Sequence, residues 1–258
     1  MTILDEILVS TRSELDARRR HLPLDELAAA KVPARPRLRD ALSGPGLALI
    51  AEFKRRSPSA GEIRAGSSAG EIARAYERGG AAAMSVLTDG PYFGGSLADL
   101  REAATACALP LLRKDFVLDV YQLHEARAAG ASAVLLIVAA IADEELQSLH
   151  SAALALGLDA LVEVHDAPEL ERALAAGASL IGVNNRDLRD FSVEPQRTFA
   201  LLELMPPDTL VVAESGISTR EQLERLAAAG VAGALVGERL MRADSPERAL
   251  RELIAPPV

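Results

Sequence analysis

Short apolar runs alternate with segments of helical period along most of the chain. Eight runs read as strands: Leu47–Lys54, Ala82–Leu87, Leu109–Arg113, Ala133–Val138, Ala160–Val164, Leu180–Asn184, Thr209–Glu214 and Ala232–Gly237. They are apolar almost throughout, the pattern of parallel strands covered on both faces. An amphipathic segment follows each, and the repeat is about 26 residues, the length of one strand, one helix and two connections. The helical segments Tyr121–Ala129, Pro168–Ala176 and Arg220–Ala229 stop at Gly130, Gly177 and Gly230, the residue suited to the left-handed position past a helix end. The recurring Ala-Ala-Gly therefore reads as a helix terminus in similar units, not as a recent duplication.

Eight such units without a Pro-, Ser- or Gly-rich linker predict a single (β/α)8 TIM barrel, an α/β fold, over a doubly wound open sheet. The open sheet would need its own phosphate fingerprint, but no G-x-G-x-x-G follows the first run and no Walker loop occurs. Residues 1–46 precede the first unit. Their pattern (ILDEIL to LDARRR, then LPLDELAAA) predicts an N-terminal helical extension of two short helices, and 1–258 reads as one barrel domain.

Composition narrows the function classes. Hydrophobic residues make up 49% of the chain but aromatic ones only 3%, so the core is built from Ala, Leu, Val and Ile. A single cysteine, Cys107, excludes an internal disulfide scaffold. The net charge of −9 argues against a nucleic-acid or membrane surface while leaving room for a small basic pocket. Asp5 and Glu6 stand where an export signal would be basic and then apolar. The longest apolar run, Ala133 to Ala142, is about half the length of a spanning helix. A cytoplasmic protein is expected, whose partner is a small molecule. Monomer, weak homo-oligomer and a docked pathway partner all stay open.

In a barrel the reactive face is made by the C-terminal strand ends and the loops after them. Glu52 and Lys54 end the first run and share a face by the two-residue period. The third run ends Arg113-Lys114-Asp115-Phe116, the sixth Asn184-Asn185-Arg186, the seventh Glu214-Ser215-Gly216 and the eighth Gly237-Glu238. Glu163 lies inside the fifth run, where a carboxylate is costly unless paired, and Lys54 and Lys114 are candidates to pair with it. An ion pair that merely fills the mouth is the plainer alternative, but three acids and two lysines converging on one face weigh against it. His165 could join Glu163 in a metal site, yet no third ligand has recognisable spacing, and a solvated loop histidine is expected. His21, His124 and His150 are expected on the surface.

Ser215-Gly216 before a helix starting near Ser218, and Gly237-Glu238 before another, suggest backbone N–H groups for a phosphate. Ser57-Pro58-Ser59 with Gly61 reads first as a turn and second as a loop able to close over a ligand. The chain has three tyrosines, five phenylalanines and no tryptophan. Tyr92, Phe93, Phe116, Tyr121 and Phe191 fall in or just beyond loops after strands, which suggests an aromatic ligand, with caps over the core as the alternative. Phe53, Tyr76 and Phe199 are assigned to core elements.

The phrases IAEFKRRSPSAGEI (50–63), SVLTDGPYFGGS (85–96), LLRKDFVLDVYQLHEARAAGASAVLLIV (111–138), LVEVHDAPEL (161–170), IGVNNRDLRDFSVE (181–194), VAESGIS (212–218) and ALVGERLMR (234–242) together resemble the indole-3-glycerol phosphate synthase family. The likeness covers nearly the whole chain in order and implies the monofunctional form. Ala60, where many relatives carry lysine, and Asp190, where a small polar residue is common, are the departures. The resemblance implies conversion of 1-(2-carboxyphenylamino)-1-deoxyribulose 5-phosphate to indole-3-glycerol phosphate, carbon dioxide and water, in tryptophan biosynthesis, without metal or cofactor. It implies Lys114 as the acid of ring closure, Glu163 as the base of the later elimination, and Lys54, held by Glu52, as substrate ligand and second acid. It further implies that Asn184, Glu214 and Ser215 orient sugar and lysines, and that Arg186 binds the benzoate carboxylate. Phe93, Phe116 and Leu135 would line the ring slot and Ser57 contact substrate, while Gly216, Gly237 and Glu238 would hold the phosphate through backbone N–H groups.

Two rivals remain at this stage. One is another phosphate-binding barrel enzyme, an isomerase or a Schiff-base aldolase using Lys54 or Lys114. The other is a non-catalytic barrel whose polar mouth only stabilises it or binds metabolites.

Overall fold

In the computed structural model, which describes residues 2–30, 32–187 and 192–255, the eight apolar runs form one closed parallel barrel. The strands are β1 (Ala48–Phe53), β2 (Ala83–Leu87), β3 (Leu111–Lys114), β4 (Ala133–Ile137), β5 (Asp159–Val164), β6 (Leu180–Asn184), β7 (Leu210–Glu214) and β8 (Gly233–Val236). Each pairs with its neighbours in sequence, and β8 closes on β1 from Ala48↔Gly233 to Ala51↔Val236. The predicted runs overreach slightly. Pro110 lacks the N–H a ladder needs, so β3 starts at Leu111, while Val138 turns into a single 3-10 turn.

Uniformly apolar strands still alternate in direction. On β4, Ala133, Leu135 and Ile137 face the barrel interior, and Val134 and Leu136 face the surrounding helices. The interior cluster contains Ile50, Leu112, Leu161 and Val212. Two residues further along the same strands stand Glu52, Lys114, Glu163 and Glu214. The period that fills the lower barrel with aliphatic side chains therefore delivers charged groups to its upper end.

The helices after β1–β8 begin with α4 (Ala69–Gly79), α5 (Leu97–Ala106), α6 (Val120–Ala128) and α7 (Asp143–Ala155). They continue with α8 (Ala167–Ala175), α9 (Arg197–Leu202), α10 (Arg220–Ala228), α11 (Glu238–Arg242) and α12 (Pro246–Ile254). Ahead of them stand α1 (Ile3–His21), α2 (Leu24–Ala28) and α3 (Leu38–Leu42). The extension thus corrects the expectation of two short helices. The first is one 19-residue helix, started by a Thr2–Asp5 capping box. The third, five residues long, is too short to show a period.

That short helix closes the barrel floor. Leu38 and Leu42 are buried in the interior cluster with Ile50, Ala83 and Leu180. Gly233 admits Leu42, since a Cβ there would come 2.6 Å from Leu42 Cδ2. Arg37 pairs with Asp159 at the start of β5, and Arg39 N donates to the same carboxylate at 3.0 Å. At the other end, Leu4 and Ile7 of α1 share an apolar cluster with Phe116 and Ile137. Along the flank, Leu15 and Leu27 pack on Tyr121, and Arg18 pairs with Glu125 at 2.8 Å.

Leu38→Ala removes a fully buried leucine from the floor and should cost about 3 kcal/mol. Urea unfolding should show the midpoint falling at unchanged slope, while the folded fraction keeps its activity.

Candidate active site

The C-terminal strand ends enclose a cavity of about 410 Å³. Of the residues named at the strand ends, Arg113 and Asn185 do not line it, while Glu52, Lys54, Lys114, Glu163, Asn184, Glu214, Arg186, Ser215, Gly216, Gly237 and Glu238 do, joined by Ser57 from the loop after β1. Phe93, Phe116 and Leu135 form its apolar wall, with the two rings 6.3 Å apart between centroids and tilted by 38°.

Two ion-pair systems sit at the base. Lys54 Nζ lies 2.5 Å from Glu52 Oε1. Lys114 Nζ lies between Glu163 Oε2 at 3.5 Å and Glu214 Oε2 at 3.3 Å. Of the two lysines proposed for Glu163, only Lys114 therefore pairs with it; Lys54 belongs to Glu52. Asn184 Nδ2 donates to Glu163 Oε1 at 3.2 Å, while Asn184 Oδ1 accepts from Arg186 N at 3.0 Å, which fixes the amide's orientation.

Burial and charge pull these groups in opposite directions. Burial favours the neutral form of Lys114, but Glu214, Glu163 and Glu52 outweigh it, and the ammonium is held charged well above its ordinary range. Burial likewise opposes ionisation of Glu52, and Lys54 and Lys114 overcome it, leaving this carboxyl below its ordinary value. At Glu214 burial wins, helped by Glu163 and opposed by Lys114, and its pKa rises to about 7.

Two glycines make room for this cluster. A Cβ at Gly182 would overlap Glu214 Oε1, and one at Gly237 would overlap Glu52 Oε1. After β7 the chain turns through Ser215 at φ 61°, a left-handed conformation that costs a non-glycine residue about 1–3 kcal/mol. Gly216 follows in the same region at φ 72°. The helix beyond is already capped: Ser218 N and Thr219 N donate to Gln222 Oε1, and Gln222 N donates to Thr219 Oγ1. Any anion at this end is thus left to Gly216, the β8 loop and nearby basic side chains.

The loop after β1 is a turn, as the sequence suggests, with Arg56–Ser57 pairing with Gly61–Glu62 and Ala60 N donating to Ser57 Oγ. Some expectations do not hold. Tyr121 is buried on the outer flank against the N-terminal extension and is absent from the cavity wall. Tyr92 packs against the interior cluster without lining the cavity. Phe199, by contrast, packs half-buried against the core cluster from α9, as expected. Phe191 and Asp190 lie outside the described residues. His165 and His150 are buried, not solvated, because α8 folds back over the end of β5 and α7 packs His150 inward. His124 is half-buried, and His21 is exposed. Among the described residues no cluster of His, Cys, Asp or Glu suits a metal ion, and no helix is long and apolar enough to cross a membrane.

Sequence reading missed Asp89, Ile137, Arg239 and Arg242, all of which line the cavity. Asp89 shapes the loop that carries Phe93, accepting from Tyr92 N at 2.8 Å and Phe93 N at 3.1 Å. Burial lifts its pKa to about 6 against the lowering effect of those bonds. Arg242 pairs with Glu238 at 2.9 Å, so the carboxylate at the rim is neutralised. Also missed is the support under Lys114: the buried Arg113 bonds Asp115 at 2.8 Å, Glu125 at 3.2 Å and Thr88 Oγ1 at 3.1 Å. An Arg-Lys-Asp run at a strand end was the available signal, because its first and third residues must point away from the second.

Such a cavity can move protons on an anionic small molecule, which places the chain among (β/α)8-barrel enzymes working by acid–base chemistry. Similarity then sets the group within that class. The family model for indole-3-glycerol phosphate synthase matches residues 4–253, and the chain belongs to that family. It is 51% identical over 257 residues to indole-3-glycerol phosphate synthase of Acidithiobacillus ferrooxidans, covering 97% of this chain and 98% of the relative. It is 49% identical to that of Micrococcus luteus, covering 97% and 96%. Solved structures support the fold alone. A tryptophan synthase alpha-subunit mutant from Pyrococcus furiosus superposes with TM-score 0.60 at 13% identity, covering 82% of this chain and 98% of that one. Thiamine phosphate pyrophosphorylase from the same organism gives 0.60 at 19%, covering 84% and 96%.

The raised Glu214 carboxyl has a consequence for stability. Between its ordinary value of 4.5 and about 7, the folded protein binds more protons at this site than the unfolded chain. This group's contribution to stability therefore falls as pH rises through that window. Urea unfolding at pH 5 and 7.5 should show the wild type losing stability relative to Glu214→Gln; no relative drift, or the reverse, contradicts the assignment.

Proposed function

We propose that this cavity converts 1-(2-carboxyphenylamino)-1-deoxyribulose 5-phosphate into indole-3-glycerol phosphate, carbon dioxide and water. The observation that carries the reading is Lys114, held charged between Glu163 and Glu214 at the base of a pocket with an aromatic wall. Ring closure makes a bond from the carboxyl-bearing ring carbon to the ketone carbon, and the ketone oxygen takes up negative charge. An ammonium fixed where that charge develops stabilises it and donates the proton. Loss of carbon dioxide returns the bonding electrons to the ring. The new hydroxyl then leaves as water, with Lys54 as the acid, while Glu163 removes the proton that completes the indole.

The remaining residues bind. Phe93, Phe116 and Leu135 take the benzoate ring, and Arg186 takes its carboxylate. Asn184 and Glu214 hold Glu163 and Lys114 in place, and Ser215 and Ser57 contact the sugar end. Gly216, Gly237 and Glu238, through their N–H groups, receive the phosphate beside Arg239 and Arg242. The phosphorylated small molecule is the expected partner, in the cytoplasm, without cofactor or metal.

The aldolase alternative needs a neutral lysine to attack a carbonyl, whereas three carboxylates keep Lys114 protonated. Borohydride added with substrate should leave the lysines unmodified.

Incubation with the carboxyphenylamino substrate should yield indole fluorescence, against a low background because the chain has no tryptophan. Lys114→Met should lower kcat at least about 100-fold with KM within about threefold. Loss through KM alone would make the lysine an anchor, and no product from folded wild type would refute the reading.

A further inference from the structure

Behind Glu163 stands an ionisable pair that the acid–base scheme does not use. His165 lies two residues beyond Glu163, on the same side of the extended chain, and is buried. Its backbone N donates to Glu169 Oε2 at 2.8 Å, and its ring Nδ1 lies 3.1 Å from the same oxygen. Glu169 is itself fixed in the first turn of α8, where its N–H donates to Asp166 Oδ1 at 2.9 Å. An ionised carboxylate only accepts, so Nδ1 carries a proton. The ring's other nitrogen, Nε2, then points at Glu163 Oε1, 3.6 Å away. This nitrogen is buried and has no hydrogen-bond partner among the described residues.

We propose that His165, anchored by Glu169, is a positioning residue for Glu163. It holds Oε1 from behind together with Asn184, so that Oε2, the oxygen facing Lys114, is the one presented to substrate. The inference rests on Glu163 acting as the base. A histidine that merely filled the core would place its second nitrogen on a neutral acceptor or in apolar surroundings. Here each ring nitrogen faces a carboxylate, and a shift of a few tenths of an ångström brings Nε2 within hydrogen-bond distance of Glu163.

The surroundings favour the imidazolium, which donates in both directions. Burial lowers the imidazole pKa, but Glu169 and Glu163 raise it by more, while Arg197 of α9, donating to Asn184 O, opposes them; the net direction is upward. Lys114 acts on the ring only across Glu163, and Asn184 adds no charge.

An NMR titration of the His165 ring tests the contact independently of turnover. In both Glu163→Gln and Glu169→Gln its pKa should fall relative to wild type, since each removes a carboxylate that holds the proton on. An unchanged pKa in Glu163→Gln overturns the proposal. Kinetically, His165→Leu should lower kcat about tenfold with KM within about twofold. His165→Gln, whose amide nitrogen can reach the Nε2 position, should recover most of the loss. Wild-type kcat in His165→Leu, or no recovery in a His165→Gln protein of wild-type Tm, overturns it as well. A lowered ring pKa in Glu163→Gln together with full activity of that variant would instead remove Glu163 from its role as base, leaving the contact intact.

Discussion

The arrangement of the barrel mouth follows from one constraint: Lys114 must stay charged although most of its side chain is buried. A lone ammonium at that depth would carry a desolvation penalty of several kcal/mol and would give up its proton. Glu163 and Glu214 within 3.5 Å, and Glu52 beyond them, reverse that outcome. The dependence is mutual at Glu52, which Lys54 and Lys114 hold ionised against burial, whereas at Glu214 burial prevails. The cluster is therefore a set of coupled charges, poised for a molecule that changes its own charge during reaction.

This constraint reaches into the backbone. Glycine at 182 and 237 leaves room for Glu214 and Glu52, whose carboxylates a Cβ there would displace. Ser215 accepts a left-handed conformation at the end of β7, directly after the glutamate that faces Lys114. On the outside of β3, Arg113 ties Asp115 and Glu125 together, and Glu125 reaches Arg18 of α1. A continuous polar chain thus links the N-terminal extension to the residues on either side of the lysine. Asp115 completes it by accepting from Phe116 N at 2.8 Å, which ties the aromatic wall to the same support.

How much of this was legible in the sequence depended on range. The eight strands were readable because doubly buried strands leave unbroken apolar runs, and the period of two then identified which polar residues face inward. Glu52, Lys114 and Glu214 were found where apolar runs stop and Glu163 as a costly carboxylate inside one, while their roles came from the family resemblance. What partners each would choose was readable only in part: the resemblance implied that Glu52 holds Lys54, as it does, but strand ends also offered Lys54 to Glu163, a matter of side-chain reach that strand order does not encode. Tyr121 and the short helix at Leu38–Leu42 were hidden for the same reason. The first is buried by a segment about 100 residues earlier in the chain, and the second is fixed by contacts with the barrel floor and by Asp159. Burial of His165 depended on α8 folding back, which no local pattern announces.

An acidic chain that takes an anionic substrate is a contradiction only if net charge is what a ligand senses. Charges separated by more than the Debye length, about 8 Å at physiological salt, are largely screened at the surface. Inside the cavity the balance is different. The three buried glutamates are met by Lys54, Lys114 and Arg186, and Glu238 at the rim is neutralised by Arg242. With Glu214 near the midpoint of its titration at neutral pH, one of the three acids can shed its charge at little cost as an anion arrives. The −9 of the whole protein is thus compatible with a pocket whose charge is adjustable by a single proton. That adjustability comes from burying one carboxylate more than the lysines can fully pair.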